Sequence, residues 1–162
     1  MGMDPFNFAD ALLGILAQRL AKRLCVDCKQ AYTPSHAELK EFIAEYALDL
    51  KETEIWKIDA GGEQQKLYES WVEGYGQDGE LRFHRAVGCD KCNRTGYKGR
   101  VGLHELLIAD DIIKKLIQER ARVADIFVAA VASGMRTLKM DGMEKIMMGL
   151  TDIKQVRSVC IR

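Results

Sequence analysis

The chain has 162 residues, 48% of them hydrophobic, with 24 basic side chains, 24 acidic ones and three histidines. That length buries one sizeable core or two small ones. No apolar run approaches the ~20 residues needed to span a bilayer, so a soluble protein is expected, and a formal net charge of zero argues against a general nucleic-acid coat. The zero hides an asymmetry: residues 38–80 hold twelve acids against four lysines, while residues 81–104 hold six Lys/Arg against Asp90 alone. The simplest account is a solvated acidic insert beside a basic knuckle; a basic docking surface is the sharper one.

Met1-Gly-Met-Asp-Pro-Phe6 has the look of a vector-derived leader, so residues 1–8 are set apart and the natural sequence is expected to begin near Ala9. Residues 9–24 read as one helix, with Leu12, Leu16 and Leu20 at i, i+4 and i+8 and Leu13 and Leu24 alongside. Asp10 near its start and Lys22 and Arg23 near its end suit the helix dipole. Its apolar residues cover more than one face, so it is either a central core helix or one that packs beyond its own domain.

Cys25-Val26-Asp27-Cys28 follows, then Thr33-Pro34 and a capping box of Ser35 and Glu38 that opens an amphipathic helix through Leu39, Phe42, Ile43 and Tyr46. Gly61-Gly62 marks a turn or loop. Residues 67–75 alternate as a strand, and residues 81–87 as a second, joined by a turn at 77–79 into an antiparallel hairpin. Cys89-Asp90-Lys91-Cys92 comes next, in a glycine-rich loop, and Arg100–Leu107 reads as a third strand. Four short helices then close the chain: 112–119 capped by Asp110-Asp111, 123–133 ended by Gly134, 138–148 capped by Thr137, and a last one capped by Thr151. Met135, Met140, Met143, Met147 and Met148 are expected to fill core. The expected class is α+β: a small knuckle lobe with short antiparallel strands (25–107, with the insert 38–80) followed by a compact helical subdomain (108–162).

The chemistry sits in the cysteines. Two Cys-x-x-Cys turns supply four sulfurs, the donor set of a closed structural zinc site, and basic neighbours (Lys22, Arg23 and Lys29; Lys91, Arg94 and Lys98) would offset the charge of a tetrathiolate. Sixty residues, 29–88, separate the pairs, far more than the ~15–20 of a simple ribbon, so this reading needs a long excursion that returns. Buried small hydrophobes, a redox dithiol and two disulfides compete with it. The repeated spacing, the settings of the two pairs and a leftover Cys160 place zinc first, at Cys25, Cys28, Cys89 and Cys92. His84 and His104 are expected to pack or lie exposed. The sequence contains no phosphate loop, dinucleotide fingerprint, nucleophile elbow or His-Glu-x-x-His. A closed four-sulfur zinc leaves no open coordination position, so the metal would stabilise and not catalyse.

Three strings, AQRLAKRLCVDCKQAYTP (17–34), GCDKCNRTGYKGRVGLHELL (88–107) and GMRTLKMDGMEKIMMGLT (134–151), resemble in content and order the C-terminal end of type II secretion and type IV pilus-assembly motor ATPases, the GspE/PilB family. The resemblance implies a hexameric ATPase on the cytoplasmic face of the inner membrane, coupled to a membrane platform protein. It implies a zinc lobe carried by the four cysteines, and a stretch 9–24 that packs on the ATPase core. ATP and magnesium would belong to upstream parts absent from this sequence, so this stretch is expected to be no enzyme itself. Its partners would be the rest of the motor and its hexamer neighbours, with no nucleic acid and no direct membrane insertion. Ile112–Glu119 falls where retraction-type relatives carry Ala-Ile-Arg-Asn-Leu-Ile-Arg-Glu, but only the apolar frame and final Glu match. The insert is longer and more acidic than the family leads one to expect. A nucleic-acid-binding zinc ribbon using Arg82, Arg85, Arg94, Lys98 and Arg100 is the alternative. Chelation is expected to loosen residues 22–100 while the helices after 110 persist.

Overall fold

The computed structural model describes residues 4–160. Asp4 accepts from the Phe6 N–H and opens α1 (Pro5–Ala11), which lies against α5 (Asp111–Gln118). The next element corrects the sequence reading: Gly14–Leu24 is not a helix but a long strand, β1. It pairs antiparallel with β4 (Tyr97–Ile108), from Gly14 opposite Ile108 to Lys22 opposite Arg100, with an irregularity between Lys22 and Leu24. A spacing of four returns to the same side of a strand as well as of a helix, so Leu16 and Leu20 still share a face. That face, with Leu106 and Ile108, points away from the described protein, Leu16 being 63% and Ile108 65% exposed. The opposite face buries Ala21 and Leu103 against α7 (Leu138–Met147) and α8 (Ile153–Val159).

Residues between the cysteine pairs are mostly helical. β2 (Gln30–Tyr32) leads to α2 (His36–Tyr46), whose capping box closes at both ends: the Glu38 N–H donates to Ser35 Oγ and the Ser35 N–H to Glu38 Oε2. After α3 (Glu54–Ile58), Asp59 caps α4 (Ala60–Tyr75). The expected strand at 67–75 is therefore helix, and the hairpin built on it does not form. Leu67, Tyr68, Trp71, Val72 and Tyr75 make one helical stripe, a pattern legible beside the alternation. β3 is only Phe83–Arg85, and its partner is β2.

In the last third the expected helices appear as α5, α6 (Val123–Ala132), α7 and α8. Asp110 and Thr137 cap as expected, while the last cap is Asp152, one residue past the expected Thr151. Met140, Met143 and Met147 are core; Met148 is half-exposed. The fold is α+β, but its two expected parts do not pack apart. Phe42, Tyr46, Trp71, Leu81 and Phe83 from the excursion share one cluster with Met140, Met143, Ile146, Met147 and Val156. The polar contacts follow the same seam: Glu144 accepts from Tyr46 Oη at 2.8 Å and Arg136 Nε at 2.6 Å, and Glu45 accepts from Arg157 Nη2 at 2.8 Å. Among the described residues, no helix is long and apolar enough to cross a membrane.

Candidate metal centre

Each Cys-x-x-Cys is a tight turn whose first carbonyl collects amides from the far side. The Cys25 carbonyl accepts from the N–H groups of Cys28 and Lys29, and the Cys89 carbonyl from those of Cys92 and Arg94. This curls each turn so that both thiols of a pair project the same way. The long excursion returns because β2 pairs with β3 on one side of the turns and β1 with β4 on the other. The Cys25 N–H also donates to the Gly96 carbonyl, stitching the first turn to the second.

All four sulfurs then meet. Cys25, Cys28, Cys89 and Cys92 have Sγ atoms within 4.8 Å of one another, with Cys25–Cys89 and Cys28–Cys92 at 3.9 Å and Cys89–Cys92 at 3.8 Å. Four ligands at Zn–S distances of ~2.3 Å in a tetrahedron stand ~3.8 Å apart, whereas a disulfide needs ~2.05 Å. The donor set and its spacing therefore fit zinc, and all five cysteines are free thiols. Cys160 lies outside the cluster, and neither His84 nor His104 belongs to it.

Backbone amides and burial pull the sulfurs in opposite directions. The Gly88 N–H points at Cys28 Sγ at 3.3 Å, and those of Cys89 and Gly96 at Cys92 Sγ at 3.2 Å each. The Cys89 amide, with that of Gly96 against the opposing effect of burial, holds the Cys92 thiol down at about 6. Burial, with the neighbouring sulfurs, pushes Cys28 up to about 12. Without a cation, the cluster does not readily place charge on every sulfur at once. Gly96 has φ +78°, and a side chain there would meet Ala86 Cβ at 2.5 Å, so only glycine brings its amide to the sulfur without strain.

One bridge links the two turns directly: Lys91 Nζ sits 2.5 Å from Asp27 Oδ1, and this hydrogen bond holds the Asp27 carboxyl below its usual range. Lys91 is one of the charge offsets expected from sequence, and Asp27 is not. The signal was there, since Asp27 and Lys91 hold the same position within their respective Cys-x-x-Cys turns. Of the other expected offsets, Lys29 bonds the Gly149 carbonyl, Arg94 pairs with Asp90 at 3.4 Å, and Lys22 lies over the Tyr97 ring at 5.9 Å.

Comparison with known proteins places this architecture. The family described as "Type II/IV secretion system protein" matches residues 1–158. The chain belongs to this family. It is 34% identical over 161 residues to the type II secretion system ATPase E of Vibrio cholerae, covering 98% of this chain and 25% of that protein. It is 35% identical over 156 residues to the type IV pilus assembly ATPase PilB of Thermus thermophilus, covering 96% of this chain and 14% of that protein. To the type II secretion system protein HxcR of Pseudomonas aeruginosa it is 32% identical over 159 residues, 98% of this chain and 24% of that protein. The chain thus spans a quarter or less of the length of these secretion-family relatives. The match begins at residue 1, so residues 1–8, set apart by composition as a leader, lie inside it, and α1 starts within them.

Proposed function

We propose that this chain is the C-terminal zinc-binding and coupling region of a secretion or pilus-assembly motor ATPase. The convergence of four thiols from turns sixty residues apart carries the reading, within a chain that matches the secretion family along its length. Cys25, Cys28, Cys89 and Cys92 hold the ion. When bound, zinc supplies cross-linking and folding free energy. It offers no open position for substrate, and the chain carries no phosphate loop, so ATP and magnesium belong to the remaining length of the motor. The chain itself turns over nothing.

The coupling role is supported by the β1–β4 ribbon. A two-stranded ribbon is marginal by itself, and this one leaves Leu16, Leu20, Leu106 and Ile108 exposed on one face. We assign that face, where sequence reading placed a helix, to contact with the ATPase core. The parent is a hexamer that works on the cytoplasmic side of the inner membrane, peripheral to it, and passes motion to a platform protein.

Metal analysis tests the site: the purified chain is expected to carry one zinc, Cys92→Ser to lose it, and Cys160→Ser to retain it. Joined to a motor half that supplies the phosphate loop, Cys92→Ser is expected to keep nucleotide binding and to lose secretion or piliation. No zinc in the wild-type chain refutes the site, and full transport by a zinc-free variant refutes the coupling role. Salt-sensitive binding to DNA or RNA would instead favour the ribbon alternative.

A further inference from the structure

The four consecutive residues Gly149–Asp152, between α7 and α8, are each held by a residue bordering the cysteine turns. Lys29 Nζ donates to the Gly149 carbonyl at 2.7 Å, and the Leu24 N–H to the Leu150 carbonyl at 2.9 Å. The Thr151 hydroxyl donates to the Lys22 carbonyl at 2.9 Å, and the Tyr97 hydroxyl to Asp152 Oδ2 at 2.6 Å. Lys22, Leu24 and Lys29 bracket Cys25 and Cys28, and Tyr97 follows the second turn. Thr151 and Leu24 are buried, so water does not replace their two bonds unless the strap of residues 149–152 moves. Asp152 is also the cap of α8, accepting from the Gln155 N–H at 3.0 Å. The strap therefore fixes where α8 starts. Downstream, α8 inserts Val156 against Gly142 and Leu103 and bonds Glu45 through Arg157.

We propose that the tetracysteine centre is a latch for α8. Metal fixes the two turns, the turns hold residues 149–152, and the strap docks the helix. Lys22, Leu24 and Tyr97 form the cysteine end of the β1–β4 ribbon, where the pairing is already irregular between Lys22 and Leu24; loss of metal opens that end together with Lys29, so the four contacts loosen and α8 lifts from the Leu103–Gly142 surface. The four contacts lie together at one ribbon end and its adjoining turn, which makes their release concerted and not a gradual fraying. This inference rests on the zinc reading and adds a conformational output to it.

Hydrogen exchange followed by mass spectrometry on the 162-residue chain tests it, with zinc content measured on the same samples. In zinc-loaded protein the 153–159 amides are expected to be protected. Chelation is expected to speed their exchange about tenfold or more, while 111–132 changes little. The double variant Tyr97→Phe/Thr151→Val is expected to keep one zinc and still show fast exchange in 153–159. Slow exchange there after measured zinc loss, or in the zinc-bound double variant, overturns the latch, as does equal acceleration in 111–132, which is global unfolding. A chain that takes up no zinc overturns the zinc reading together with the latch, and the metal measurement distinguishes that failure from the others.

Discussion

Trp71→Ala is the sharpest probe of whether the excursion and the C-terminal helices form one folding unit. Trp71 is 4% exposed on α4, with its ring edge-on to Tyr46 at 4.9 Å and Phe42 at 5.6 Å. These rings share a cluster with Met140, Met143 and Met147 of α7. Truncating a buried aromatic of this size costs about 3–5 kcal/mol, a large part of the ~5–15 kcal/mol that holds a domain folded. At roughly 2–4 °C per kcal/mol for a chain of this length, the melting temperature should fall by roughly 6–20 °C. The assay is thermal and urea unfolding by circular dichroism, with hydrogen exchange resolved by segment. With a shared core, exchange accelerates in 138–147 together with 36–75. An α7 that keeps wild-type protection while 36–75 opens would restore two separate lobes and refute the reasoning. The same coupling revises the expectation that chelation spares everything after residue 110: α7 and α8 are tied to the excursion through Glu144, Glu45 and the common core.

Two further outcomes follow from local geometry. Burial opposes ionisation of Glu45, but its hydrogen bond to Arg157 and the charges of Arg157 and Lys139 outweigh it and hold the carboxyl below its ordinary 4.5. A depressed folded-state value means stability present above pH 4.5 and lost as pH falls through the lowered value. Glu45→Gln should therefore cost about 1–2 kcal/mol at pH 7, and urea midpoints of variant and wild type should converge as pH falls below 4.5 through the lowered value; a gap independent of pH would contradict this. Gly96→Ala puts a methyl 2.5 Å from Ala86 Cβ at φ +78°, and should cost about 1–3 kcal/mol and speed zinc loss to a chelator. Gly79→Ala, at φ +80° with nothing within 4 Å, is the control; equal zinc retention by the two variants would remove the role given to the Gly96 amide.

The four-cysteine donor set was legible because its signal is local. Two Cys-x-x-Cys turns fix the donor type and its pairing whatever surrounds them, and the capping residues Ser35, Asp110 and Thr137 act within one turn of chain. The class and the order of the C-terminal helices were legible for the same reason. Residues 14–24 were not, because leucines four apart lie on one side of a strand and of a helix alike; pairing with β4, some eighty residues on, decides between them. Residues 67–75 carry aromatics in both phases of an alternation, and only the pocket formed by Phe42 and the α7 methionines selects the helical stripe. The strap at 149–152 consists of bonds to residues 22–29 and 97, contacts that no window of sequence contains. Short-range chemistry was written in the chain itself. Register, facing and the joining of knuckle to C-terminal helix came from long-range closure, since a side chain's partner there is set by where the rest of the polypeptide folds back.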